Sequence, residues 1–263
     1  LQSTEIALQN GWRLIKLYYM LGLPTEIEAD IDAIIELSRK VLKIGKGRLS
    51  LNVTLSTFIP KPFTPFQWEE QDSVEKIQNK LDFVKPKLRS LRKVKVMARD
   101  PICSQLEGVI SRGDRRIANV IFEAWKHGAK FDSWQKYFSA GIWEAAFKKA
   151  DVDFQKYIIE RREDKALSWD IIDPLISKKY LLSEREKSYR GETTPDCRNG
   201  CTGCGVCKPD ILDMVIVGGK KETTSDDLIE KNEKEFEPVK YRLKYRKGKE
   251  MRFTSQLDIL RIF

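Results

Sequence analysis

LSLNVTLST, residues 49–57, decides the fold. Leu49, Leu51, Val53 and Leu55 alternate with Ser50, Asn52, Thr54 and Ser56. That period of two predicts a β-strand with one apolar and one small polar face. In a β/α barrel the outward face of each strand packs on helices and is apolar. The inward face is usually apolar too, because it fills the barrel. A small polar inner face fits a lumen that holds a polar ligand. A half-exposed edge strand alternates in the same way; the helical patterns on either side favour the barrel.

Upstream, WRLIKLYYML at 12–21 predicts a buried strand, aromatic and aliphatic with few charges. Gly22-Leu23-Pro24 breaks it. A helix is expected next, with Thr25 as cap and Glu28 three residues on as the other half of a capping box. Ile27, Ile31, Ile34, Ile35, Val41 and Leu42 recur near helical spacing, and Gly45 and Gly47 end the run. Downstream lies a loop rich in Pro and aromatics (Phe58, Pro60, Pro62, Phe63, Pro65, Phe66, Trp68). A helix from about Ser73 to Leu91 and a short strand Val94–Ala98 follow. Strand–helix–strand–helix–strand implies parallel strands with right-handed crossovers.

Residues 1–100 therefore read as α/β, consecutive staves of a (β/α) barrel. From 101 to 192 the pattern is mainly helical, and these helices are expected to cover the barrel. Ile110, Ile117, Val120, Ile121 and Trp125 mark one apolar stretch, and Trp143, Phe147, Phe154 and Tyr157 another, with the aromatics assigned to the core. Residues 160–195 are mixed and charged, with short helical pieces. Residues 193–217 hold a cysteine-rich segment. Residues 218–237 have the polar, aromatic-poor composition of a linker. A truncated α+β domain is expected to start at 238, where Val239, Tyr241, Leu243 and Tyr245 alternate with Lys240, Arg242, Lys244 and Arg246.

With 41% hydrophobic and 33% charged residues, the 263-residue chain can bury a core. No apolar run is long enough to cross a bilayer, and Leu1–Gln9 lacks the features of a signal peptide. Leu1 falls inside a helical pattern and Phe263 inside an apolar one, so both ends read as cut from a longer chain. The net charge of +9 favours acidic partners, nucleic acid above all, although a lysine-rich solvated surface explains it equally.

Four of the five cysteines, Cys197, Cys201, Cys204 and Cys207, fall within eleven residues as C-x3-C-x2-C-x2-C, interleaved with Gly200, Gly203 and Gly205. Thiolates this close in a glycine-permitted loop can fold around one ion or cluster. The pattern points to a metal site in a reducing, cytoplasmic setting rather than to disulfides. Zinc sites usually separate two cysteine pairs by a longer spacer, so compact spacing leans towards iron–sulfur, with zinc left open. Cys103 reads as a buried core thiol, and the single histidine, His127, as a surface residue near a helix end.

Several segments, in order, resemble the cobalamin-binding radical S-adenosylmethionine (SAM) proteins. KLYYMLGLPTEIEADI at 16–31 is similar to their late-strand SAM-contact segment, and STFIPKPFTPFQW at 56–68 to the segment after it. GDRRIANVIFEAWKHGAKFDSW at 113–134 and TTPDCRNGCTGCGVC at 193–207 resemble one uncharacterised branch of the group. KYRLKYRKGKEMRFTSQLD at 240–258 resembles the start of a small domain fused to that branch. The resemblance implies a preceding part with a cobalamin-binding domain and the C-x3-C-x2-C loop that binds the 4Fe-4S cluster and SAM. Cys197–Cys204 share that spacing but follow the last strands rather than the first, so that role is rejected for them.

The resemblance also implies that the backbone around Met20, Leu21 and Gly22 lies against the adenine of SAM, with Pro24 and Glu26 shaping the turn. Asn52, Thr54 and Ser56 would face SAM or substrate. Related groups methylate or methylthiolate tRNA, proteins and small molecules. The expected function is thus part of a radical SAM enzyme, methyl- or methylthio-transferase-like, with RNA among its candidate substrates. The chain by itself is expected to be inactive. The alternative is an iron–sulfur or zinc module that binds nucleic acid without catalysis. Ile171 and Gln256 stand where relatives often have His, which puts any role of those histidines in doubt here.

Overall fold

The computed structural model describes residues 1–207; the expected linker, the second domain and residues 208–217 of the cysteine-rich segment lie outside them. A short helix α1 (Gln2–Gln9) leads into β1 (Leu14–Leu21). Helix α2 (Glu28–Ile44), β2 (Ser50–Thr57), α3 (Val74–Arg89) and β3 (Val94–Ala98) follow. The strands form one parallel sheet in the order β1–β2–β3, with Leu17 opposite Val53 and Val53 opposite Val96. The chain is thus α/β, and β2 is a central strand, not an edge strand.

The alternation within β2 sets the layers. Leu49, Leu51, Val53 and Leu55 are fully buried on Ile31, Ile34, Ile35 and Val41 of α2 and Ile77, Leu81, Val84 and Leu88 of α3. With the buried Ser38 between Ile35 and Val41, these positions recur at helical spacing, so each helix lays one stripe on the sheet. Burying a side chain of this size is worth about 1.5–3 kcal/mol, which makes this cluster the main support of the first hundred residues.

Two local expectations are corrected. β1 is not a buried strand: it alternates between exposed and half-buried as far as Met20, with Tyr18 71% exposed. Ile15, Leu17 and Tyr19 pack on the helices, whereas Leu14, Lys16, Tyr18 and Met20 lie on the face that no described helix covers. Thr25 does not cap α2. The helix starts three residues later, where Asp30 Oδ2 accepts the Ile27 N–H at 3.0 Å. Residues 22–26 are spent on a turn, in which the Glu26 N–H donates to the Leu23 carbonyl. Helix α3 starts where the sequence puts it, and there Ser73 Oγ accepts from the Lys76 N–H as an N-cap.

The helices after β3 do not cover the sheet; they build a core of their own. Helices α4 (Pro101–Ser111), α5 (Arg116–Lys126) and α6 (Ala140–Lys149) and a 3-10 turn, Phe154–Tyr157, bury Val109, Ile117, Val120, Ala124, Trp143, Ala146, Phe147 and Tyr157 together. Ile110 of α4 and Ile121 and Trp125 of α5, which mark the same apolar stretch in the sequence, are exposed; on α5 the inward stripe is already filled by Ile117, Val120 and Ala124. Cys103 is buried and His127 exposed, as expected. Residues 160–195 hold a full helix, α7 (Lys178–Tyr189), whose Leu181 joins Trp68, Leu167 and Trp169 in a third cluster.

The loop after β2 ties these parts together. The Trp68 carbonyl accepts from the Arg161 N–H and the Gln71 N–H donates to the Ile158 carbonyl. Gln71 Nε2 donates to the Ser104 carbonyl, and a side chain at Gly108 would meet the Gln71 amide oxygen at 2.0 Å, so Gly108 leaves room for this amide against α4.

Candidate functional site

Parallel register brings four of the predicted site residues, Met20, Asn52, Thr54 and Ser56, onto one surface. Met20 stands opposite Ser56, Tyr18 opposite Thr54 and Lys16 opposite Asn52. Lys95 and Met97 of β3 continue the rows of Asn52 and Thr54. Successive residues of a strand point to opposite faces, so this is the face turned away from α2 and α3. Asn52, Thr54 and Ser56 are half-buried there, while Met20 and Met97 are 47% and 42% exposed. The surface therefore offers two thioethers, a phenol ring, three small polar groups and two ammonium groups.

At the end of β1 the chain turns at Gly22, which is buried with φ +86°. That left-handed backbone favours glycine, and a Cβ would come within 2.8 Å of Ile77 Cδ1 and 3.1 Å of Asp72 Oδ2. Glu26, with its side chain 5% exposed, reaches back so that Oε2 accepts the Gly22 N–H at 2.9 Å. Its other oxygen lies 2.6 Å from Lys80 Nζ, and Lys80 is also 2.8 Å from Asp72 Oδ2. Burial alone would lower the Lys80 pKa, but its hydrogen bonds to Asp72 and Glu26 outweigh that and raise it.

This Glu26–Lys80–Asp72 cluster fastens the turn to α3. Neither Lys80 nor Asp72 was expected in it, because their separation from Glu26 along the chain hides the contact; only the fold shows that the Glu26 carboxylate is buried and so needs a cation. Of the predicted contacts, the Leu21 side chain is in the helix-facing core and its carbonyl accepts from the Phe58 N–H. The Gly22 N–H is held by Glu26. Pro24 is half-buried in the turn.

A second buried ionic cluster braces the loop after β2. Glu69 Oε1 accepts from Arg185 Nε at 2.6 Å and from the Tyr189 hydroxyl at 2.7 Å. Arg185 also pairs with Glu163 and Glu160. Desolvation opposes the charge of Arg185, but the hydrogen bond and charge of Glu69 hold its pKa above the usual guanidinium value. Gln67 Oε1 accepts from Trp169 Nε1 at 2.7 Å. Nearby, burial and then the charge of Arg161 lower the Arg112 pKa to about 10. At the start of α5, hydrogen bonds from Arg116, opposed by some desolvation and aided by Tyr157, lower the Asp114 pKa to about 2.

The cysteine segment opens with a 3-10 turn, Cys197–Asn199. Gly200, Gly203 and Gly205 all have positive φ, and the Gly203 N–H points at Cys201 Sγ, 3.4 Å away. The Cys204 carbonyl accepts from the Ser177 N–H and so anchors the loop to the first turn of α7. Cys197, Cys201 and Cys207 are exposed, Cys204 half-buried, and none of the five cysteines is in a disulfide. Among the described residues no three Cys, His, Asp or Glu side chains are gathered as a metal-holding group. The donor set fits a thiophilic metal, as does an N–H aimed at sulfur; the convergence of all four sulfurs expected from the spacing is not seen among those residues.

No family model and no solved structure matches the chain. An uncharacterised protein of Methanocaldococcus jannaschii is 32% identical to it over 122 residues. The match covers 45% of this chain, which spans about a quarter (26%) of that protein. No helix among the described residues is long and apolar enough to cross a membrane.

Proposed function

We propose that this chain supplies the later staves of a radical SAM barrel in a cobalamin-dependent enzyme, which cleaves SAM reductively to modify its substrate, with RNA among the candidates. The observation that carries the reading is the row of side chains on the uncovered sheet face, held by the parallel ladder and ending at the Gly22 turn. SAM joins a flat adenine to a sugar, a sulfonium and an amino acid. Tyr18, Met20 and Met97 suit the adenine; Asn52, Thr54 and Ser56 suit hydroxyl, amino and carboxylate groups. With the Leu21 carbonyl and the Gly22 N–H already engaged, Met20 is left as the residue of that turn that meets the ligand, and Glu26 and Pro24 hold the turn in shape.

In this reading the 4Fe-4S cluster and cobalamin belong to the part of the protein before Leu1, and the cluster supplies the electron that breaks SAM. Cys197, Cys201, Cys204 and Cys207 hold a separate iron–sulfur cluster or zinc ion. A protein extended upstream, reconstituted anaerobically with iron and sulfide, should release 5′-deoxyadenosine from SAM and dithionite; the present chain should release none. Product from the present chain, or none from an extended protein whose cluster is spectroscopically intact, overturns the proposal. Elemental analysis with a visible spectrum tests the loop: Cys201→Ala should lose its iron or zinc, and full retention would exclude it as a ligand.

A further inference from the structure

Helix α5 and the loop that follows it expose aromatic rings that neither the core nor the sheet face uses. Trp125, Trp134 and Phe131 are 65%, 64% and 68% exposed, and Phe122 is 52% exposed. The inward stripe of α5 is filled, so Phe122 and Trp125 point outward and stack on each other at 5.8 Å. The helix ends in a glycine stop: Gly128 has φ +93°, its N–H donates to the Trp125 carbonyl and the Ala129 N–H to that of Ala124. Two short turns then hold the loop, with the Trp134 N–H donating to the Phe131 carbonyl and the Tyr137 N–H to that of Trp134. The rings thus sit on a segment shaped by backbone turns, with Phe131 beside Tyr137 at 6.0 Å.

The charges among these rings are mostly positive. Between residues 114 and 149 there are seven Lys and Arg against four Asp and Glu, with Asp114 spent on Arg116. Lys126 lies over the ring of Phe122 and Lys136 over that of Tyr137. Glu123 is spent on Lys126, whereas Lys130, Lys136, Lys148 and Lys149 have no ion-pair partner among the described residues.

We infer that the exposed aromatic and lysine face of α5 and the 131–137 loop is a binding surface for single-stranded nucleic acid. Flat rings stack on unpaired bases whatever their sequence, and interleaved lysines meet the phosphates. A protein partner matches aromatic surface less well when it is interleaved with unpaired lysines, because interface cores are depleted in lysine. A duplex hides its base faces, so it engages only the lysines. The surface uses none of the sheet-face residues and does not depend on the SAM reading.

The test is fluorescence anisotropy of the whole chain with a labelled twelve-nucleotide single strand, as RNA and as DNA, and with the matching duplex. Binding should favour the single strand and weaken with salt. Trp125→Ala and Trp134→Ala should each weaken it about five-fold or more, with the circular dichroism spectrum unchanged since both rings are exposed. RNA and DNA arms separate the two sources of the same chemistry. Absence of affinity at low salt, or affinity that survives the double Trp125→Ala/Trp134→Ala variant, overturns the inference; the second outcome would move binding to the basic segment 240–246. Self-association that the double variant abolishes, without nucleic-acid binding, would instead make the face a protein interface and overturn it equally.

Discussion

Replacing Glu26 is the most direct probe of how the Gly22 turn is held. Glu26→Ala removes a charge-assisted hydrogen bond to the Gly22 N–H at 2.9 Å and a contact with Lys80 at 2.6 Å. The gross attraction of the ion pair is about 6 kcal/mol at an effective dielectric of about 20, most of it offset by desolvation. Lys80 keeps Asp72 as a partner and is 27% exposed, so it is not stranded when Glu26 goes. Adding the lost hydrogen bond, the expected net cost is about 2–3 kcal/mol. Glu26→Gln keeps an acceptor for Gly22 and should cost about half as much. Urea unfolding of the chain measures both through the midpoint at constant slope. The pH dependence gives a second check. The Lys80 pKa is raised in the folded state, so its contribution is complete below its unfolded pKa of 10.5 and is lost as pH rises through the folded value. The difference between Glu26→Ala and the parent chain should therefore narrow only in strongly alkaline solution. A cost under about 0.5 kcal/mol for Glu26→Ala at neutral pH, where exposed ion pairs fall, would refute the claim that this carboxylate fastens the turn.

Gly22→Ala meets both a left-handed backbone and Ile77 at 2.8 Å; thermal denaturation should show a loss of about 1–3 kcal/mol, and an unchanged melting temperature would contradict that geometry. Arg185→Met leaves Glu69, 8% exposed at its side chain, without its cation. A loss of about 3 kcal/mol is expected, to be checked by chemical unfolding, together with faster proteolysis between residues 160 and 190. For Asp114 the pKa is depressed to about 2, so its contribution is present above its unfolded value of 3.8 and is lost as pH falls through about 2. Asp114→Asn should flatten the acid limb of the stability curve between those values, and an unaltered limb would count against the pairing with Arg116.

The strands, their parallel order and the helical stripes were legible because they rest on local periodicity. Leu49 to Leu55 alternate, Ile31 to Val41 recur at helical spacing, and strand–helix–strand spacing leaves few connections. The same locality misled at β1, where WRLIKLYYML is apolar enough to be buried, yet only the presence or absence of a covering layer decides whether Tyr18 meets solvent. Likewise Trp125 carries the same apolar signal as Trp143. The inward stripe of α5 had room for Ile117, Val120 and Ala124, and Trp125 was left outside.

The sequence alone determined the residue types available for chemistry: the cysteine spacing, the polar row of β2 and the glycine turn after β1. Tertiary structure decided which of them share a surface. Parallel register put Met20 beside Ser56, and folding of α3 onto the sheet delivered Lys80 to Glu26, fifty-four positions away. Ion pairs of such sequence separation leave no periodic trace. They exist only because burial of a carboxylate is costly until some distant cation arrives to offset it.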